Sequence, residues 1–355
     1  MKTMSKESHS DSKSWQDRFG PKGLLCSWLN GQLLLSGGQI KRSAEPTRDR
    51  WNFYLPDFFL KDPQPWWTPD WVSQKDGLTW PKPLTDRIKT SWEVEKHQNF
   101  LAQLAQAKRL MEAGVLEKVV PVVLAQSDWS PSRSELMGLV AHLGEKSSSQ
   151  LFSYGFWNRF EGMLGLTPEV LFQVKGGQLK TMALAGTRQS GFPAGELLND
   201  PKERHEHEVV IHDIVARLSP LGHLKKVEVG PTHEWCIGSL THLRTEIHVA
   251  EGDWEFSKLV QALHPTPALG AYPRLQGGQW LQEHRHPEAG RFGAPFGVRA
   301  PNGDSLCLVA IRNIQWRGGK SLLATGCGVV KESQADQEWQ ELNLKRQFVL
   351  ENLGL

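Results

Sequence analysis

The chain has 355 residues, 39% of them hydrophobic and 23% charged, with a formal net charge of +2 at pH 7. This is the composition of a globular chain with ample surface to bury. The small net charge counts against a nucleic-acid or membrane surface as main partner, and no apolar run approaches the roughly 20 residues that span a bilayer. Four single cysteines (Cys26, Cys236, Cys307, Cys327) form no CxxC pair, which fits unpaired thiols in the reducing cytoplasm.

The opening "MKTMSKESHSDSKSW" has no apolar core of a secretory signal and reads as a disordered lead over 1–15. Residues 16–91 are rich in Trp, Pro and Gly. Their short apolar runs "LLCSWL", "GQLLLSGG" and "WNFYLPDFFL" predict hairpin strands, whereas "DPQPWWTPDW" is too proline-rich for a helix or central strand. From residue 92 the period changes. Phe100, Leu104, Ala107 and Met111 fall at helical spacing and Gly114 can stop the helix. "LEKVVPVVLAQ", "LFSYGF", "RFEGMLGL" and "EVLFQVKGGQLKTMAL" predict strands, the last with a "KGG" turn. A helix is predicted over 201–222, with Asn199 or Asp200 as cap, Pro201 in its first turn and Gly222 at its end. "KKVEVG", "THLRTEIHVAEG" and the run from "FGVRAPNG" to "LLATGCGVV" predict further strands, and 334–352 a last helix. Irregular alternation with tight turns predicts an α+β fold of mainly antiparallel sheets with helices on their faces.

Several polar residues interrupt this apolar pattern. In "KERHEHEVVIHDIV", Glu206 lies one turn before Val210 on the stripe continued by Ile211, Ile214, Val215 and Leu218. A carboxylate aimed at a core is costly unless paired or ligating a metal; the bland alternative is a polar first turn that complements the helix dipole. His205, His207 and Glu208 read as surface polarity or as support around Glu206, and "HEHE" is no zinc signature because helical ligands must lie three or four residues apart. In the last helix Glu338, Glu341, Lys345 and Phe348 share one face, as a ligand set or as an ordinary surface ladder. Hard oxygen donors from distant segments suit Mg²⁺. Lys118 opens a strand, as a snorkelling end residue or as a base of lowered pKa. Glu169 follows a Thr-Pro turn, as a strand-edge acid or as a general acid. "MALAGTR" and "LLATGCGVV" are small-residue turns that let a ligand approach backbone N–H groups. Arg312 interrupts the apolar "CLVAIRNI" and needs an anionic partner, protein or ligand.

The blocks "EKVV", "GLTPEVLF", "ALAGTR", "KERHEHEVV", "SLTHL", "LHPTPALGAYPR", "FGAPFG", "LVAIRN", "GCGVV" and "EWQELNLK", in that order over roughly 92–355, resemble the chorismate-utilising enzymes. These include anthranilate, aminodeoxychorismate, isochorismate and salicylate synthases. The resemblance implies one catalytic domain over 16–355, with a variable part (16–91) and a motif-bearing part (92–355), built of two layered antiparallel sheets and flanking helices. It implies Mg²⁺ held by Glu206 and Glu341, with Glu338 beside it through water. Arg312, Lys345 and the backbone at Gly326 would take the enolpyruvyl carboxylate, Gly186 and Thr187 the ring side, and His242 the ring and its carboxylate.

The subclass follows from single positions. Aminodeoxychorismate synthases carry a lysine where this chain has Ala185. Anthranilate synthases usually have Gln where this chain has Lys118. Lys118 matches the water-activating lysine of isochorismate and salicylate synthases, with Glu169 as the acid. Ala268, Leu269 and Phe292 resemble isochorismate synthases rather than salicylate synthases. Pro121, Ala289 and Ala324 depart from the family pattern and bear on the ring pocket. The resemblance therefore implies a reversible isochorismate synthase: a cytoplasmic monomer acting on chorismate, without a glutaminase subunit. Salicylate synthase is the alternative, and a non-catalytic chorismate-binding paralogue a further one. The product's fate stays open among menaquinone, siderophore and salicylate synthesis.

Overall fold

The computed structural model describes residues 21–74, 83, 86–221, 227–250 and 252–355. The chain begins with β1 (Gly23–Ser27), β2 (Leu33–Ser43), β3 (Asn52–Tyr54), β4 (Trp66–Gln74) and β5 (Glu93–Val94), then α1 (His97–Glu112), β6 (Lys118–Val119), β7 (Val122–Ser127) and α2 (Arg133–Lys146). Next come β8 (Phe152–Trp157), β9 (Glu161–Thr167), β10 (Val170–Lys175), β11 (Gln178–Gln189) and α3 (Pro201–Leu218). β12 (Val227–Val229), β13 (His233–Ile237) and β14 (Leu240–Val249) precede α4 (Phe256–Leu263), β15 (Ala271–Tyr272) and α5 (Arg274–His284). The last elements are β16 (Pro295–Arg299), β17 (Ser305–Val309), β18 (Asn313–Arg317), β19 (Lys320–Gly326) and α6 (Ala335–Leu353).

Among the described residues seventeen strands form one hydrogen-bonded network, and β6 with β15 a small separate ribbon. The ladders are antiparallel. One run reads β5-β7-β19-β18-β9-β8-β1-β2-β4. The other reads β16-β17-β10-β11-β14, with β12 and β13 sharing the far edge of β14. Short β3 joins them, pairing Phe53 and Tyr54 with Trp67 and Trp66 of β4, and Asn52–Tyr54 with β16. The two runs face each other across a core that takes Leu24, Cys26 and Tyr154 from one and Leu184, Phe296 and Leu308 from the other. The Tyr154 and Phe296 rings lie 5.1 Å apart. The α+β fold with layered antiparallel strands is as expected, and the layers are joined at β3.

Helix α3 carries the site. Asp200 caps it, its side chain accepting from the Lys202 and Glu203 N–H groups at 2.9 and 3.2 Å, with Pro201 in the first turn. Val210, Ile214 and Leu218 pack with Leu259, Val260 and Leu263 of α4 over Phe172 and Ala183. Burying each such aliphatic side chain contributes roughly 1.5–3 kcal/mol.

Some expectations need correction. "DPQPWWTPDW" contains most of a strand: β4 pairs along β2, and Pro69 sits opposite Ile40 where the β2 register shifts. The proline's missing N–H falls on that irregularity, which is why the ladder tolerates it. "LEKVVPVVLAQ" is two strands, β6 and β7, separated at Val120 and Pro121. Helix α3 ends at Leu218, and Gly222 lies outside the described residues, as does the lead over 1–15. Helices α2, α4 and α5 were not anticipated, although the capping box of Ser132 and Glu135 marks the start of α2.

Candidate active site

A single cavity of about 570 Å³, open mouth included, gathers Glu169, Gly186, Thr187, Glu206 and His242 with Ala268, Leu269, Arg312, Gly326 and Lys345. Lys118, Glu338 and Glu341 connect to it through ion pairs: Lys118 with Glu206 at 3.0 Å, Lys345 with Glu341 at 2.6 Å, and Glu338 with Lys202 at 2.8 Å. All thirteen residues named from the sequence thus belong to one constellation.

The backbone explains their placement. Glu169 sits in the turn between β9 and β10, its N–H donating to Thr167 Oγ1 at 3.1 Å. Gly186 is the extra residue where the β11–β14 register shifts between Ala185 and Thr187, and its φ of +73° suits a residue without Cβ. The bulge turns the Thr187 N–H toward Glu203 Oε2 at 3.2 Å. It also sets Thr187 opposite His242 on β14, with Oγ1 and Nδ1 3.0 Å apart. Arg312 Nη2 lies 3.3 Å from His242 Nε2. A guanidinium only donates, so Nε2 accepts and the ring proton is assigned to Nδ1, facing Thr187. Arg312 has φ +57°, strained for a side chain of that size, and its guanidinium lies 4.6 Å from the Phe348 ring centroid. Lys345 donates to the Gly326 carbonyl at 2.8 Å, tying α6 to the end of β19.

Electrostatics divides the acids. Burial pushes Glu169 up to about 7 against the pull of Lys118, Lys345 and Arg312, so it holds a proton near neutrality. Burial, with Arg312 and Lys345, keeps His242 well below the ordinary histidine range, hence neutral. Burial would also raise Glu206, but Lys118 and Lys202 outweigh it and hold Glu206 below the usual carboxylate range. Burial and the charge of Glu206 raise Glu203 to about 7 despite Lys202; burial and Glu341 do the same to Glu338.

Sequence reasoning missed three residues here. Glu203, one turn before Glu206, is buried and reaches Thr187. Lys202 places its ammonium 2.9 Å from Glu203 Oε1, 2.8 Å from Glu338 Oε1 and 3.8 Å from Glu206 Oε2. Extending the α3 stripe back one turn would have found Glu203. Gly328 is the third: a Cβ there would lie 1.9 Å from Glu206 Oε1, so the close fit of helix and loop depends on that hydrogen. His207 is also no surface residue. It is 1% exposed and bonds Thr245 Oγ1 through Nε2 at 2.8 Å, bracing α3 against β14 beside Glu206.

The residues fit a Mg²⁺ ion. Glu338 is 1% exposed, and neither oxygen has a well-aligned hydrogen bond among the described residues, although Lys202 is at ion-pair distance. The aligned bond is the stricter criterion, and by it Glu338 retains acceptor capacity. Glu203, Glu206, Glu338 and Glu341 supply only hard oxygens, and Mg²⁺ needs one or two of them. Among the described residues no three His, Cys, Asp or Glu side chains form a closed ligand set.

The chain belongs to the chorismate-binding enzymes: the family model "Chorismate binding enzyme" matches residues 72–354. Among its relatives, the "Salicylate biosynthesis isochorismate synthase" of Pseudomonas aeruginosa is 33% identical over 268 residues, covering 70% of this chain and 56% of the relative. The isochorismate synthase MenF of Bacillus subtilis is 32% identical over 217 residues, covering 58% and 45%. The chain thus spans about half the length of these curated relatives. The solved structure of MenF, the menaquinone-specific isochorismate synthase of Escherichia coli, superposes with a TM-score of 0.79 at 20% identity over 94% of this chain and 89% of that one, a likeness of fold.

Proposed function

We propose that the protein is a Mg²⁺-dependent isochorismate synthase that converts chorismate reversibly to isochorismate. The observation that carries this reading is a glutamic acid, Glu169, that lines the cavity and is raised to about 7, with a fully buried lysine, Lys118, that reaches the cavity through its ion pair with Glu206 at 3.0 Å. Lys118 takes the proton of a water molecule attacking ring carbon C2. Glu169 donates its proton to the departing C4 hydroxyl. One base and one acid are what a hydroxyl transposition requires. Arg312 and Lys345 hold the enolpyruvyl carboxylate near Gly326, while His242, neutral and fixed by Thr187 and Arg312, packs beside the ring. Glu206 and Glu341 would bind Mg²⁺, with Glu338 beside them. Bound there, the ion supplies neutralisation of the ring carboxylate and Lewis acidity. The name of the Pseudomonas relative, and Lys118 at the position of the water-activating lysine, support the reading. Four free cysteines among the described residues support a reducing, cytoplasmic setting.

Chromatography of the products of chorismate with Mg²⁺ tests the assignment. Isochorismate as sole product is expected. Fluorescent salicylate, or anthranilate formed only with ammonia, would replace it. Lys118→Ala should lose turnover by about 10²-fold or more, the scale of one acid–base group, while chorismate binding persists; an active variant removes Lys118 from the role of base.

A further inference from the structure

The φ of +57° at Arg312 is a conformation that a side chain of this size keeps only where its surroundings over-determine it. Three successive carbonyls around it are held. Asn313 Nδ2 donates to the Ala310 carbonyl at 2.7 Å, the Tyr154 hydroxyl to the Ile311 carbonyl at 2.7 Å, and the Leu166 N–H to the Arg312 carbonyl at 3.1 Å. The first two belong to one hydrogen-bond chain, because Asn313 Nδ2 also donates to Tyr154 Oη at 2.8 Å. A carbonyl only accepts, so Ala310 assigns the amide nitrogen to this side, and the phenol keeps its own proton for Ile311. Tyr154 and Asn313 are both 0% exposed, and neither lines the cavity.

The sheet leaves room for this reach. Tyr154 of β8 and Asn313 of β18 both stand opposite Gly165 of β9, one on each side. A Cβ on Gly165 would lie 2.6 Å from Tyr154 Oη and 2.8 Å from Asn313 Cβ, so the phenol crosses β9 only because that residue has no side chain.

We propose that Tyr154 and Asn313 are positioning residues for the substrate: by clamping the Ala310 and Ile311 carbonyls they hold the left-handed backbone of Arg312, and so aim its guanidinium at the carboxylate of chorismate. With the hydroxyl removed, the Ile311 carbonyl loses this donor. The backbone can then relax toward an ordinary φ and carry the guanidinium away from His242 Nε2, now 3.3 Å from it.

The inference rests on the placement of Arg312 in the reading above, and Arg312→Ala separates the two. Calorimetric titration of the full chain with chorismate in MgCl₂ gives Kd for wild type, Arg312→Ala, Tyr154→Phe and Asn313→Ala. Leu139→Ala of α2, a buried residue of another core cluster, serves as control, and each variant is shown to be folded by its melting curve. Tyr154→Phe should raise Kd by about fivefold or more, the scale of one buried hydrogen bond. KM should rise with it while kcat at saturating chorismate stays within about twofold, since binding lost equally by ground and transition states appears in KM alone. Asn313→Ala repeats the test at the other end of the hydrogen-bond chain, should Tyr154→Phe fail to fold. The double variant should lose no more than the larger single loss, because both act through one chain of bonds. Leu139→Ala should leave Kd unchanged. Where Arg312→Ala weakens binding, an unchanged Kd in Tyr154→Phe and Asn313→Ala, or an equal rise in Leu139→Ala, overturns the clamp alone. A wild-type Kd in Arg312→Ala overturns the carboxylate reading, and the clamp with it.

Discussion

At the scale of single residues, the site works by separating groups of one type into different states. Glu169 and Glu206 are both buried glutamates, yet one is raised to about 7 and the other held below the ordinary range, because Lys118 and Lys202 sit against Glu206. The sign for Glu169 is definite. Between its ordinary range and about 7 the folded state binds more protons than the unfolded chain, so its contribution to stability falls as pH rises through that window. In the proposed role of general acid it is competent below about 7. A kcat/KM profile should therefore decline as pH rises through that value, and Glu169→Gln should be inactive on both sides; a variant with wild-type activity excludes the acid role. Glu206→Gln should raise the Mg²⁺ concentration needed for half-maximal activity by about tenfold or more, the cost of one charged ligand at close range. An unchanged Mg²⁺ titration would remove Glu206 from the ligand set. Gly328 was not legible as a site residue, since what it avoids, Glu206, is distant in sequence.

At the scale of elements, α3 is the device that brings Lys202, Glu203 and Glu206 to one place. Its cap and its apolar stripe were both readable, because capping chemistry and helical period are local signals. Which way the stripe faces was readable too, and this is why Glu206 could be picked from a string of acids and histidines. The burial of His207 was not readable, since it depends on Thr245 of β14. The cap also gives a prediction. Asp200→Ala removes acceptors from two N–H groups and the partner of Arg188 at 2.8 Å, so the melting midpoint should fall by the equivalent of about 1 kcal/mol. Mg²⁺ affinity should weaken with it, because the frayed turn bears the cluster. Full metal affinity in the variant would show that α3 is held by packing alone.

At the scale of the whole molecule, short β3 joins two runs of strands, and an aromatic cluster sits at that joint. Phe256 of α4 lies 5.2 Å from Tyr54, 4.9 Å from Trp66 and 5.0 Å from Phe172 by ring centroids, touching both runs. Phe256→Ala should cost about 3–5 kcal/mol in denaturant unfolding, a core truncation that leaves a void. A loss below about 1 kcal/mol would mean that the joint is held elsewhere, since large-to-small core changes rarely cost so little. The strand status of "WWTPDWVSQ" belongs to this scale. Proline argued locally against it, and only the shifted register of β2 made room for it.

The sequence by itself determined the class of fold, the helices α1, α3 and α6 and most of the candidate acids, lysines and arginine of the site, Glu203 and Lys202 excepted, because period, caps and block order are carried by neighbouring residues. Tertiary structure alone decided which of these groups share a charge: that Lys118 faces Glu206, that Lys202 stands between Glu203 and Glu338, and that Gly328 must lack a side chain. Charge pairing acts over a few ångströms, and the segments that meet within that distance are brought there only by the folded chain.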